Sequence, residues 1–204
     1  MKKGEKRKQE LLKIGYDMFL TRGYENTSVD EIIEKAQIAK GTYYYYFQSK
    51  EQMLEEVIDM MIESETEMAK QVITMDISVP QKIVGILASM KPSEEEEPIK
   101  NTLFQQENVL MHYKVRKKLI DIITPLLSEV INEGVKEGIF ECDNIPERVR
   151  MLLVISDGTF NEGAFSERDI SVFIDMTEKL LGAEKGTMSF IYNLIDKSDM
   201  VAVE

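Results

Sequence analysis

Between Thr27 and Glu51 the chain reads TSVDEIIEKAQIAKGTYYYYFQSKE. Ser28 followed by Glu31 spells a capping box, in which each side chain satisfies one of the orphan amides at a helix start. Ile32, Ile33 and Ala36 give that helix a buried face, and Gln37-Ile38 turns the corner. Ser49 with Gln52 repeats the start signal. A helix of about two turns, roughly Ala39 to Tyr46, is therefore bracketed between two others. Two short helices joined by a turn, the second polar and aromatic, have the layout of a helix-turn-helix.

A helix points the tyrosines of the run Tyr43–Tyr46 in different directions. Tyr43 and Phe47 are four residues apart and share one face, which the pattern assigns to the core. Lys40, Thr42, Tyr44, Tyr45 and Tyr46 are left on the outer and flanking surface. A solvated helix gains little from three exposed rings, whereas a helix lying in a DNA groove uses them. Phenol hydroxyls reach phosphates, ring edges meet thymine methyls, and Thr and Lys reach base edges. Burial against a protein partner is the bland alternative, and the layout of the whole segment favours DNA.

At these residues the sequence resembles the TetR family of bacterial one-component regulators. The matching string runs from Gly23-Tyr24 through Thr27-Ser28-Val29, Ile32 and Ala36 to Lys40-Gly41-Thr42. It continues through Tyr44, Tyr46-Phe47 and Ser49-Lys50-Glu51 to Met53-Leu54, with Leu11, Ile14, Met18 and Phe19 matching upstream. The likeness covers about the first fifty-five residues; beyond them only length and helical pattern agree. Two positions depart from the family pattern. Gly15 stands where alanine is usual, at a cost of about 1 kcal/mol in a helix interior. Tyr43 stands where a smaller apolar residue is usual, so that core is expected to be slightly swollen.

The resemblance implies an all-α protein: residues 1–48 as a three-helix DNA-binding domain with the helix-turn-helix, and 49–204 as a helical bundle for ligand binding and dimerisation. It makes Lys40, Gly41, Tyr44 and Tyr45 candidate major-groove residues and Thr27, Tyr46 and Lys50 candidate phosphate clamps, with Thr42 suited to either role. It also implies a homodimer on a palindromic double-stranded operator, and a small-molecule effector held among helices four to eight.

Charge is segregated along the chain. The net charge of −12 divides into ten Lys/Arg against seven Asp/Glu in residues 1–50, and fifteen against thirty in residues 51–204. A basic head on an acidic body suits a protein that meets DNA head-first. Lys2, Lys3, Lys6, Arg7 and Lys8 concentrate positive charge where an arm or first helix reaches phosphates. The single Cys142 rules out an internal disulfide and fits a reducing cytoplasm. No stretch approaches the ~18 uncharged apolar residues of a membrane span, and the basic start has the form of no signal peptide. A cytoplasmic protein is expected. One histidine, one cysteine, no glycine-rich phosphate loop and no metal-ligand cluster leave no catalytic constellation, and no metal or cofactor is expected.

Helical periodicity persists to the end of the chain. The pattern predicts helix four from Lys50 to about Val72 and helix five from Val79 to Met90, followed by a solvated connection, KPSEEEEP. Helix six is expected over Ile99–His112 and helix seven over Val115–Glu137, with Pro125 a kink or boundary. Helix eight is expected over Pro146–Phe160, helix nine over Glu167–Leu181, and a short last helix over Thr187–Ile195. Met151, Leu152, Val154 and Ile155, then Ile170, Phe173, Ile174 and Met176, exceed what one face of each helix needs. Paired with a second copy they would form a two-fold four-helix bundle. Pointers to the ligand are weaker. Met61 and Met111 are adaptable, Phe104, Asn108, His112, Phe160 and Asn161 set polar groups beside aromatics, and Asp157 offers a carboxylate for a cationic ligand. A second reading keeps the DNA head without an effector, as an architectural or cell-division-linked factor.

Overall fold

The computed structural model describes residues 3–91, 93–103, 105, 108–161, 164–197 and 200–201. Their helices are α1 (Lys3–Arg22), α2 (Val29–Ala36), α3 (Lys40–Tyr46), α4 (Lys50–Ile73), α5 (Val79–Ser89), α6 (Glu97–Leu103), α7 (Val109–Lys136), α8 (Ile145–Phe160) and α9 (Glu167–Leu181). They are joined by 3-10 turns at Glu94–Glu96 and Ser189–Asn193. Among the described residues no sheet forms; a single isolated bridge joins Phe165 to Met200. The fold is all-α, as the sequence implies.

Three local predictions differ from the outcome. Helices six and seven divide earlier than expected. The Asn108 side-chain amide donates to the Thr102 carbonyl at 2.8 Å, and Asn108 N–H to Gln105 O at 2.9 Å. These bonds draw the chain off the helical path, and α7 restarts at Val109. Of the two expectations for Pro125, the boundary is not met, since it lies inside α7. It lies on the exposed side of the helix, where water can take up the carbonyl that its missing N–H leaves free. The acidic connection is partly ordered: Ser93 and Glu96 form a capping box, and Glu96 also accepts from the Tyr16 hydroxyl of α1 at 3.1 Å.

The chain forms two compact units, 1–65 with 92–116 and 66–91 with 117–204. This division departs from a boundary at 48/49, because the start of α4 and the whole of α6 pack with the first three helices. In the first unit α1 packs on α2 and α6. Its core is built from Leu11, Met18, Phe19, Ile32, Tyr43, Phe47, Met53 and Leu54, all essentially without exposure. Lys82 on α5 and Glu133 on α7 form an ion pair in the second unit, Nζ lying 2.7 and 2.8 Å from the two carboxylate oxygens. There α9 ends at Gly182 with φ 63°, and a Cβ at that position would lie 2.2 Å from the Glu141 carbonyl oxygen. Glycine is required both by the left-handed conformation and by that close approach.

Candidate DNA-binding surface and cavity

The turn that separates α2 from α3 is fixed by backbone geometry. Ser28 Oγ accepts from Glu31 N–H while the Glu31 carboxylate accepts from Ser28 N–H, completing the predicted box. The Ser28 bonds hold the Glu31 carboxyl below its usual range. At the other end Gln37 adopts φ 52°, and Ile38 N–H returns to Ile33 O at 3.2 Å. The left-handed residue lets the chain reverse after one helix and begin the next without a linker. Arg7 reaches from α1 to the Ala36 carbonyl at 3.2 Å, closing the C-terminal end of α2 with a cation. Ser49 then caps α4 by accepting from Gln52 N–H at 3.1 Å; the Gln52 side chain returns to Gln48 N–H at 2.7 Å, one residue before the predicted partner.

The tyrosine run sorts as helical geometry requires. Tyr43 is fully buried, its ring 5.6 Å from that of Phe47, and its hydroxyl points to the Ser49 carbonyl at 3.4 Å. Burial pushes that phenol up to about 12. Tyr44 is 47% exposed and Tyr45 78% exposed. The Tyr45 ring meets Tyr46 edge-on at 4.9 Å, and Tyr46 is half-buried with its hydroxyl beside Gly4 of α1. Lys40 is exposed and paired with Asp30 at 3.0 Å, a hydrogen bond and charge that raise its pKa. Thr42 is half-buried.

Gly41 is exposed on the same helix. No atom outside its own helix backbone lies within 4 Å of where a Cβ would stand. Nothing inside the unit needs a glycine there, although glycine costs a helix about 1 kcal/mol relative to alanine.

Two of the expected phosphate clamps face inward. Thr27 is 1% exposed, its hydroxyl donating to Gly23 O at 2.9 Å and its N–H to Tyr24 O at 3.2 Å. That placement makes Thr27 a brace for the α1–α2 connection, with both donors already engaged. Lys50 donates to Tyr24 O at 2.9 Å and lies 4.1 Å over the Tyr24 ring, so it is ordered at the start of α4. Among the N-terminal cations, Lys8 pairs with Glu56 and sits 5.6 Å from the Phe47 ring centre, and Arg7 is engaged by Glu10 and Ala36. Lys2 lies outside the described residues.

A family model for the bacterial regulatory proteins of the tetR family matches residues 11–57, which span α1 to the first turns of α4. Residues 11–57 are a DNA-binding domain of the TetR type. The HTH-type transcriptional repressor KstR2 of Mycolicibacterium smegmatis is 26% identical over 141 residues, 67% of this chain and 69% of that protein. A TetR-family regulator from Chloroflexus aurantiacus, 19% identical, superposes with a TM-score of 0.57 over 96% of this chain and 98% of its own. A transcriptional regulator from Cytophaga hutchinsonii, 16% identical, gives 0.59 over 89% and 96%. The matched domain and these likenesses make the chain a DNA-binding transcriptional regulator rather than an enzyme. No helix among the described residues is long and apolar enough to cross a membrane.

The second unit holds a cavity of about 290 Å³. α5, α7, α8 and α9 supply its walls, and the segment 188–196 closes it. Phe160 and Asn161 line it, as a ligand role requires; Asp157 does not, and instead accepts from the Asn161 side chain at 3.1 Å at the end of α8. Met61, Asn108, Met111 and His112 belong to the first unit and are not brought to this cavity. Phe104 lies outside the described residues. Lys91, Ser156, Thr177 and Leu194 were missed. The spacing of Met188, Ile191, Leu194 and Ile195 is the signal that the C-terminal segment carries an apolar face.

The expected dimer residues split. Leu152, Ile170 and Phe173 are buried within the unit, and Leu152 and Phe173 line the cavity. Ile174 is half-buried. Met151, Val154, Ile155 and Val172 are 58, 51, 41 and 59% exposed and form the outward apolar face. Cys142 is half-buried, with burial raising its thiol pKa, as befits an unreactive side chain.

Proposed function

We propose that the protein is a homodimeric repressor that binds a palindromic operator and leaves it when a small molecule occupies the second unit. The observation that carries the DNA contact is the outer face of α3, where Lys40, Gly41, Tyr44 and Tyr45 are exposed on a helix otherwise fixed by the buried Tyr43 and Phe47. Lys40 gives up Asp30 for a base edge or phosphate, Tyr44 and Tyr45 present rings and hydroxyls, and Gly41 admits the DNA backbone. Tyr46 flanks this surface as a phosphate contact, and Lys50 joins it only by giving up the Tyr24 carbonyl.

The dimer reading rests on α8. Met151, Val154, Ile155 and Gly158 fall at helical spacing on one face, and a Cβ at Gly158 would meet nothing within 4 Å. An apolar stripe with a glycine in it suits close packing against the same helix of a second copy. Two-fold symmetry then sets the recognition helices about one DNA turn apart, 34–36 Å. Effector release requires only that the ligand fit the DNA-incompetent state better than the competent one.

Fluorescence anisotropy on DNA flanking the gene tests the reading, with Tyr44→Ala and Lys40→Ala as controls. Palindrome-dependent binding, weakened by roughly tenfold to a hundredfold in each variant, is expected. Salt-sensitive binding that is blind to sequence and unchanged in both variants would sink the groove assignment and favour the architectural role.

A further inference from the structure

From the cavity of the second unit we infer that the effector is an amphipathic carboxylate, its chain in the apolar interior and its headgroup on Lys91. This deepens the proposal that the second unit takes a small molecule and rests on it. Ile83 and Leu87 of α5, Leu127 and Ile131 of α7, and Phe160 and Phe173 make the interior hydrocarbon and aromatic. At about 290 Å³ the cavity sits near the lower edge of sites for drug-sized ligands, roughly 300–1,000 Å³, and suits a chain on the order of ten carbons better than a fused-ring body.

Charge sets the headgroup. Among the described lining residues only Lys91 and Asp196 carry charge. Asp196 is itself engaged, whereas the Lys91 ammonium is held by a neutral acceptor, the Leu194 carbonyl at 2.5 Å. An ammonium offers three donors and gains more from an anion than from an amide oxygen. Lys91 is also exposed, so the headgroup stays hydrated at the mouth while the chain alone enters hydrocarbon. A buried carboxylate would have to be desolvated; here it is not. The remaining polar side chains carry no charge, and Ser156 offers only a neutral hydroxyl. Thr177 spends its hydroxyl proton on Phe173 O at 2.7 Å, and Asn161 donates to Asp157.

The same contact gives the ligand a mechanical consequence within the second unit. A carboxylate that takes Lys91 competes with Leu194 O, the bond that ties the segment 188–196 to Lys91, two residues past α5. Binding therefore exchanges one internal tether of the segment 188–196 for a contact to ligand.

Calorimetric titration of the full-length protein, without DNA and below micelle concentrations, compares decanoate, decanol and decylamine. Decanoate is expected to bind at least tenfold more tightly than the other two. Lys91→Met should bring it down to the level of decanol, and Lys91→Arg should keep the preference. Equal binding of all three, or a preference untouched by Lys91→Met, overturns the headgroup assignment. Binding of none, with the protein folded by circular dichroism, overturns the carboxylate proposal outright. Because DNA is absent, these outcomes are independent of repression. Decanoate that binds through Lys91 yet leaves operator affinity unchanged would sink the release mechanism and leave this site standing.

Discussion

Replacing Gly15 by alanine should destabilise this protein, although alanine is the better helix former and the residue usual in the family. A Cβ built on Gly15 lies 2.8 Å from Met53 Sδ and 3.3 Å from Met53 Cγ. A methionine ordinarily moves aside, but Met53 is fully buried, and the Tyr43 hydroxyl lies 3.8 Å from the same sulfur. The large Tyr43 and the small Gly15 thus hold Met53 between them, and each departure from the family pattern compensates the other. The propensity gain of alanine is about 1 kcal/mol, against about 2 kcal/mol for overpacking an enclosed core. Gly15→Ala alone is expected to cost roughly 1 kcal/mol. In a Tyr43→Leu background Met53 has room to withdraw, and the same change should be neutral or stabilising. The coupling energy expected from urea unfolding of the four proteins is about 2 kcal/mol. Additive effects, or a stabilising Gly15→Ala in the wild-type background, would show that Met53 does not couple the two positions.

Glu65 on α4 is 8% exposed; burial, with the charge of Glu96 adding, pushes its carboxyl up to about 7 from 4.5. The unfolded chain loses this proton first, so the contribution is intact below about pH 4.5 and stability falls as pH rises towards 7, by at most about 3 kcal/mol in full. Glu65→Gln should flatten that part of the pH profile in urea unfolding between pH 5 and 8, and an unchanged slope would show that the carboxyl is not held protonated. Val154→Glu places a charge in the outward stripe of α8 and should shift the protein to monomer in sedimentation while leaving its helical circular dichroism intact; a persistent dimer would move the interface off this face.

The helix-turn-helix was legible because its signals are local. Capping pairs, a corner at Gln37 and a four-residue spacing between Tyr43 and Phe47 each act within one or two turns, and each survives into the folded unit with its expected partner or one residue from it. The compensation between Gly15 and Tyr43 was half legible: both departures stand out in the sequence, but their meeting through Met53 is a contact among three helices. Pro125 shows the limit of a residue rule without burial: it sits on the exposed side of α7, where solvent can take the carbonyl that loses its partner, and the helix runs on past it. Thr27 fails for the complementary reason: threonine before an N-cap suits a phosphate or a backbone carbonyl equally, and only burial shows that its hydroxyl is spent inside.

The cavity was the least legible part, and its composition explains why. Its walls are Ile, Leu, Val, Phe and Met at helical spacing, the same residues at the same period that build a solid core. Whether four helices close on one another or leave room between them depends on how a fifth segment packs, and here that segment follows Gly182. Glycine at φ 63° against the Glu141 carbonyl ends α9 sharply enough to return residues 188–196 over the gap instead of extending the helix past it. Lys91 then acquires meaning only from that return, because its partner carbonyl belongs to Leu194, 103 residues further along the chain. A lysine that reads as part of a solvated connection becomes the charged rim of an apolar chamber. Its chemistry is set by a distant segment, and no window of local sequence contains both.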